Sequence, residues 1–237
     1  MLTLFWAEIF TFVIALAWLR LMDFVAQRGW MEKRLSRKII HVGTGPFFVL
    51  CWLLFPEQSI SQYLAALVPL LFTLQFALIG LGRIKDQATV DAICRTGNPR
   101  EMLKGPLFYG IVFVALTIIY WKDSPIGIIA LMLICGGDGL ADIIGSKISS
   151  RPIPWSKEKT VLGTLAMFVG GWIFSYVILI AFIRAGVFDF QGSDIIIPLT
   201  VLAVIGTIVE SLPFKDIDNL TIPAATMIAG YLLFQVM

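Results

Sequence analysis

Long apolar runs alternate with short polar ones along almost the whole chain. A helix needs about 20 mostly apolar residues to cross a bilayer. On that measure the pattern predicts eight spans, at 2–19, 39–55, 60–82, 105–121, 125–145, 161–183, 194–212 and 221–237. The last is short and polar at its start. A charged amphipathic stretch, 20–38, separates the first two spans, and a Gly/Pro-containing stretch, 83–104, with "TGNPREMLKG", separates the third and fourth. No soluble domain, low-complexity tract or internal repeat interrupts this order. The expected fold is all-α: a polytopic membrane bundle of about eight helices, forming a single transmembrane domain over 1–237.

Composition agrees. The hydrophobic set makes up 58% of the chain and charged residues 14%, and the mean hydropathy is +0.88. Soluble domains run at about 45–50% apolar and about 25% charged. No basic, acidic-poor transit segment precedes the first apolar run and no small-residue cleavage site follows it, so 2–19 is expected to be retained. Cys51, Cys94 and Cys135 are scattered without CxxC spacing and read as packing residues. His41 is the single histidine, which excludes multi-His zinc chemistry. Nothing points to a nucleic-acid partner, and no oligomeric state is implied.

The net charge of +2 matters less than where the charge sits. Sixteen of the 18 Lys and Arg residues fall in the loops after spans one, three, five and seven; Lys122 and Arg184 are the other two. The positive-inside rule then places both termini outside and the basic loops in the cytoplasm.

On that basic face four distant segments converge. "LSRKIIH" brings Arg37, Lys38 and His41 into span two. "GGDGLADIIG" ends span five with Asp138 and Asp142. "WSKEKTVLG" leads into span six with Lys157, Lys159 and Gly163. "VESLPFKDIDNLTIP" joins spans seven and eight with Glu210, Asp218 and Asn219. Asp138 and Asp142 are one helical turn apart on one face, so their charges repel unless a cation lies between them. Counting from Ser146, Asp138 lies roughly 12 Å deep, where a carboxylate is costly and marks function by default. Mg²⁺ suits such a pair, since it takes one or two carboxylates and completes its shell with water and substrate phosphates. A structural pairing with Lys or Arg that locks helices together is the alternative. The cations are suited to phosphate, and equally to setting topology. Asp218 and Asn219 belong either to this cluster or to the cap of span eight.

In this order and among these spans, "RKIIH", "GDGLADIIG", "KTVLG" and "VESLPFKDIDNLTIP" resemble the phytol kinase branch of the polyprenol kinase family, whose relatives include dolichol kinases and CTP-dependent diacylglycerol kinases. The resemblance covers about 36–237 and leaves the first helix, 1–22, peripheral to a catalytic core. It implies an integral membrane enzyme that moves the γ-phosphoryl of CTP, or UTP, to phytol or a similar prenol. It implies an active site of Arg37, Lys38, Asp138, Asp142, Gly145, Lys159, Gly163, Glu210, Asp218 and Asn219. Lys157 and His41 join these on position. Asp138 and Asp142 would hold Mg²⁺, Lys157, Lys159, Arg37 and Lys38 would neutralise phosphate, and Glu210 or an aspartate would serve as general base. No GxxxxGK[ST] or GxGxxG cradle is present. A phosphatidate cytidylyltransferase and an ion-coupled transporter are the competing readings. The expected location is a prokaryotic cell or a photosynthetic membrane, with the site facing the cytoplasm.

Overall fold

The computed structural model describes residues 2–214 and 217–234. Helix α1 (Leu2–Gln27) is the first apolar run, extended by two turns. Helix α2 (Lys33–Cys51) starts in the basic stretch and continues through the second run, tolerating Pro46. Ser61 Oγ donates to the Pro56 carbonyl (2.6 Å) at the start of α3 (Ser61–Gly80). The polar stretch that follows is folded. Asp86 caps the short α4 (Gln87–Ile93) by accepting from the Thr89 N–H at 3.0 Å, and a 3₁₀ turn, Pro99–Leu103, leads into α5 (Gly105–Ile119).

The fifth predicted span forms one helical unit in three parts. Helix α6 (Pro125–Met132) opens with Ser124 as cap and Pro125 in the first turn, a favoured arrangement. It widens into a π-helical turn at Leu133–Asp138 and resumes as α7 (Gly139–Lys147). Then comes a small antiparallel hairpin, β1 (Pro152–Ile153) and β2 (Ser156–Thr160), which the hydropathy pattern did not foresee. Thr160 closes β2 and caps α8 (Val161–Arg184) by accepting from the Gly163 N–H at 3.2 Å. Helices α9 (Ile196–Ser211) and α10 (Asp218–Phe234) complete the bundle.

Each of the eight predicted segments is helical over most of its described residues; 235–237 of the last lie outside those residues. Five units are long and apolar enough to cross a membrane by length and composition: Leu2–Gln27, Ser61–Gly80, Pro99–Ile119, Pro125–Lys147 and Val161–Arg184. Helix α2 begins with cations, and α9 and α10 have 16 and 17 residues. The fold is an all-α polytopic bundle with one hairpin on its basic face.

The central element is α6 with its wide turn. It packs against α2, α8, α9 and α10, and every side chain from Ile128 to Cys135 is fully buried. Helix α1 is the opposite case. It packs on α2 and α3 and turns Phe5, Trp6, Phe10 and Val13 outward, as a lipid-facing helix does. A buried helix that carries two aspartates at one end sets the position of the site.

Candidate active site

The wide turn determines where the aspartates go. A π-helical turn adds a residue to the local repeat and often occurs where a side chain must be re-aimed. Here it ends on Asp138, and His41 of α2 holds it from the side. His41 Nε2 lies 2.8 Å from the Ile134 carbonyl. A carbonyl only accepts, so Nε2 carries the proton. The same nitrogen is 3.6 Å from Asp138 Oδ2. Tyr109 of α5 steadies the histidine: its hydroxyl donates to the His41 carbonyl at 2.9 Å, lies 3.0 Å from Cys135 Sγ, and its ring packs on the imidazole. One turn beyond Asp138, Asp142 forms an ion pair with Lys38. The cation that the i, i+4 carboxylates require is therefore, in this structure, the Lys38 ammonium.

The facing wall is built from the hairpin, α9 and α10. Lys159 Nζ contacts Glu210 Oε1 at 2.5 Å and Asp218 Oδ2 at 3.2 Å. Burial alone would lower the Lys159 pKa, but the two carboxylates outweigh it and hold the ammonium above its ordinary value. Trp155, in the hairpin turn, anchors the hairpin by donating from Nε1 to Ser211 Oγ at 3.1 Å. Asn219 does not cap α10. It lies inside the helix and donates from Nδ2 to the Gly105 carbonyl at 3.0 Å, tying α10 to the start of α5.

Gly145 and Gly163 let the two walls meet. A Cβ on Gly163 would lie 3.0 Å from Thr160 Oγ1 and 3.2 Å from the Ala141 carbonyl, and one on Gly145 would lie 3.4 Å from Gly163 Cα. Helices α7 and α8 cross backbone to backbone there, which brings Asp142 and Thr160 to the same cleft.

That cleft has a volume of about 480 Å³. Its polar end is lined by Arg37, Lys38, His41, Asp138, Asp142, Gly145, Lys159, Gly163, Glu210, Asp218 and Asn219, which are the sequence-derived candidates with one omission. The omission is Lys157, which is exposed on β2 and outside the lining. Tyr109, Thr164, Arg34 and Arg95 line the cleft as well and were not singled out. The two arginines stood in basic stretches, where nothing distinguished them from topology signals. Tyr109 and Thr164 had no signal, since each lies in an apolar run.

Away from the carboxylates the lining becomes apolar: Leu19 from α1, Phe48 from α2, Val68 and Phe72 from α3, and Phe113 from α5. Three residues of the wall carry a buried oxygen with no hydrogen-bond partner among the described residues, namely Glu210 Oε2, Asn219 Oδ1 and Thr164 Oγ1. No group of three or more His, Cys, Asp or Glu side chains forms a complete metal cage among the described residues. The oxygens of Asp138 and Asp142 nevertheless suit a hard cation that completes its shell with phosphate and water.

No family model matches the chain, and no solved structure gives a significant match. Curated relatives do. The chain is 36% identical over 218 residues to a probable phytol kinase, chloroplastic, of Zea mays, covering 91% of this chain and 72% of that protein. It is 35% identical over 212 residues to phytol kinase 1, chloroplastic, of Arabidopsis thaliana, covering 89% and 70%. Against farnesol kinase, chloroplastic, of Arabidopsis thaliana, the identity is 36% over 226 residues, covering 94% and 73%. These chloroplastic plant proteins overturn the expectation of a prokaryotic cell with a cytoplasmic active site and are consistent with its alternative, a photosynthetic membrane. Identity over nine-tenths of the chain, and a cleft that gathers the four motifs, lead to one conclusion: the chain belongs to the phytol kinase branch of the polyprenol kinase family.

Proposed function

We propose that this protein transfers the γ-phosphoryl group of CTP, or UTP, to the hydroxyl of phytol or a similar prenol, giving the prenyl phosphate. The observation that carries the reading is the two-ended cleft. Carboxylates and cations line one end, and Leu19, Phe48, Val68, Phe72 and Phe113 line the other. A long-chain alcohol has the same division, an apolar tail and one reactive hydroxyl. The names of the relatives, phytol kinase and farnesol kinase, support the same acceptor class.

The prenyl tail lies in the apolar limb and its hydroxyl reaches the level of Asp138. That placement excludes water, which would otherwise compete as acceptor. The hydroxyl oxygen forms a bond to the γ-phosphorus, the bond to the β-bridging oxygen breaks, and the nucleoside diphosphate leaves. The hydroxyl proton goes to a carboxylate of the cleft, Glu210 or an aspartate. Lys159 holds Oε1 of Glu210, while Oε2 is buried and has no partner among the described residues. Phosphoryl transfer needs positioning and charge stabilisation more than covalent help. Arg37 and Lys38 supply positive charge at the polar end, and Lys159 fixes the facing wall. Mg²⁺, held by Asp138 and Asp142, would neutralise charge on the donor phosphates. Lys38 then exchanges its Asp142 partner for phosphate.

The test uses purified protein in lipid nanodiscs with CTP labelled in turn at the γ and α phosphorus, against phytol, geranylgeraniol, farnesol and phosphatidate. Label from the γ position on a prenol is the expected result. Label from the α position on phosphatidate, with diphosphate release, would make the protein a cytidylyltransferase.

A further inference from the structure

Residues 83–104 form a folded unit whose purpose the two walls of the cleft do not explain. A second cavity of about 470 Å³ opens beside the first and is lined by Lys33, Arg34, Arg37, Lys38 and Arg95, together with Asp91 and Asp142. It shares Arg34, Arg37, Lys38, Arg95 and Asp142 with the cleft, so the two spaces adjoin. Five cations thus face two carboxylates, and one of those carboxylates, Asp142, already holds Lys38. Like charges gathered around one opening repel. Such a ring is suited to a multiply charged anion.

The position of Arg95 is built with care for a surface loop. Glu101 accepts from the Arg95 N–H at 2.6 Å and from the Thr96 N–H at 3.1 Å, and the Thr96 hydroxyl donates to the same carboxylate. Asn98 caps the following 3₁₀ turn by accepting from the Arg100 N–H at 3.0 Å. Beneath the loop Ile79, Val90, Cys94 and Met102 form a small core separate from the main one. A loop that had only to be basic, for membrane topology, needs neither a carboxylate clamp nor a core. Arg34 comes from the first turn of α2, one helical turn before Arg37. Guanidinium forks suit phosphate oxygens better than ammonium groups do, because two parallel N–H bonds form at once.

We propose that Arg34 and Arg95, together with Arg37, bind the polyphosphate chain of the phosphoryl donor in this vestibule, with the terminal phosphate pointing to Asp138 and Asp142. The proposal rests on the phosphoryl-transfer reading and adds where the donor lies. The shared chemistry is a phosphoester anion, which an anionic lipid headgroup also offers. Asp142, which lines both spaces, favours the donor.

The experiment measures steady-state kinetics in phosphatidylcholine nanodiscs for the wild type, R34Q, R95Q, R34K and R95K, and for R151Q as an exposed basic control outside both cavities. Binding of inorganic triphosphate without prenol is measured in parallel. R34Q and R95Q are expected to raise the donor KM and the triphosphate dissociation constant together, each on the order of tenfold, the usual scale for a lost charge-assisted contact. Prenol KM, melting temperature and the R151Q control stay unchanged, and the lysine variants recover part of the loss. Unchanged donor KM in both glutamine variants overturns the proposal. So does a defect that appears only when phosphatidylglycerol is added, because the site would then read a headgroup. Wild-type protein that binds triphosphate but phosphorylates no prenol refutes the function proposed above and leaves the vestibule standing.

Discussion

Lys38 meets Asp142 on one wall of the cleft, and Lys159 meets Glu210 and Asp218 on the other. The groups are alike and the settings differ. Asp142 is 38% exposed and Lys38 14%, so water reaches the first pair from its carboxylate side. Glu210 is 3% exposed and ties together β2, α9 and α10 through Lys159. A carboxylate partly open to water can exchange its partner at little cost. A buried pair contributes little net when intact, but removing a member strands a desolvated charge. The comparison assigns the Lys38 side to ligand exchange and the Lys159 side to holding the wall.

The largest expected effect breaks the buried side. K159M leaves Glu210 and Asp218 without their shared cation and should cost about 3–5 kcal/mol, seen as a lower melting temperature in detergent. D142N should cost less in the same measurement, because Asp142 is partly open to water and Lys38 keeps Asp138 nearby. Equal losses in the two variants would erase the distinction.

Next in size is the effect on turnover. D142N and D138N should insert and fold, yet lose activity on the order of 10²-fold, as when one group that stabilises transferring charge is removed. Raised Mg²⁺ or Mn²⁺ should restore part of it, because the remaining oxygens form a weaker site. Full activity in either variant would return the aspartates to a helix-locking role.

A pH series sharpens the comparison further. The folded-state pKa of Lys159 lies above its ordinary value. Its ion pairs therefore contribute fully below the unfolded value, about 10.4, and their contribution fades as the pH rises through the folded value. The gap in melting temperature between wild type and K159M should narrow above about pH 10.5 and hold steady at neutral pH. A gap that stays constant into strong alkali would mean that Lys159 acts through packing rather than charge.

The smallest effect concerns Lys157, two residues away on the same strand. Exposed and outside the cleft, it should tolerate K157Q with less than about 0.5 kcal/mol change in stability and unaltered donor KM. A raised donor KM would show that the hairpin moves over the donor.

Much of this was legible in the residue order. Hydropathy located the helical segments among the described residues because span length follows from bilayer thickness, a local property of the chain. The charges marked the face, and Asp138 and Asp142 announced themselves because a carboxylate in an apolar run is expensive. Three things lay beyond that reading. The hairpin escaped because "SKEKT" has no apolar alternation; it is held from outside by the Trp155–Ser211 bond. Lys157 and Lys159 read alike until the strand turned one toward Glu210 and left the other exposed. Arg95 looked like any loop cation until Glu101 and the small core beneath it set its position.

The periodicities of the chain thus established an α-helical membrane bundle, its charged face and the residue types of its candidate site, since these depend on neighbours within a few turns. Which lysine holds which carboxylate, that His41 steadies the turn carrying Asp138 across 93 positions of chain, and that a polar and an apolar limb share one cleft, were settled by packing. Those contacts join helices far apart in sequence. Their distances follow from how side-chain volumes and glycine gaps let whole helices approach, and no local pattern encodes that.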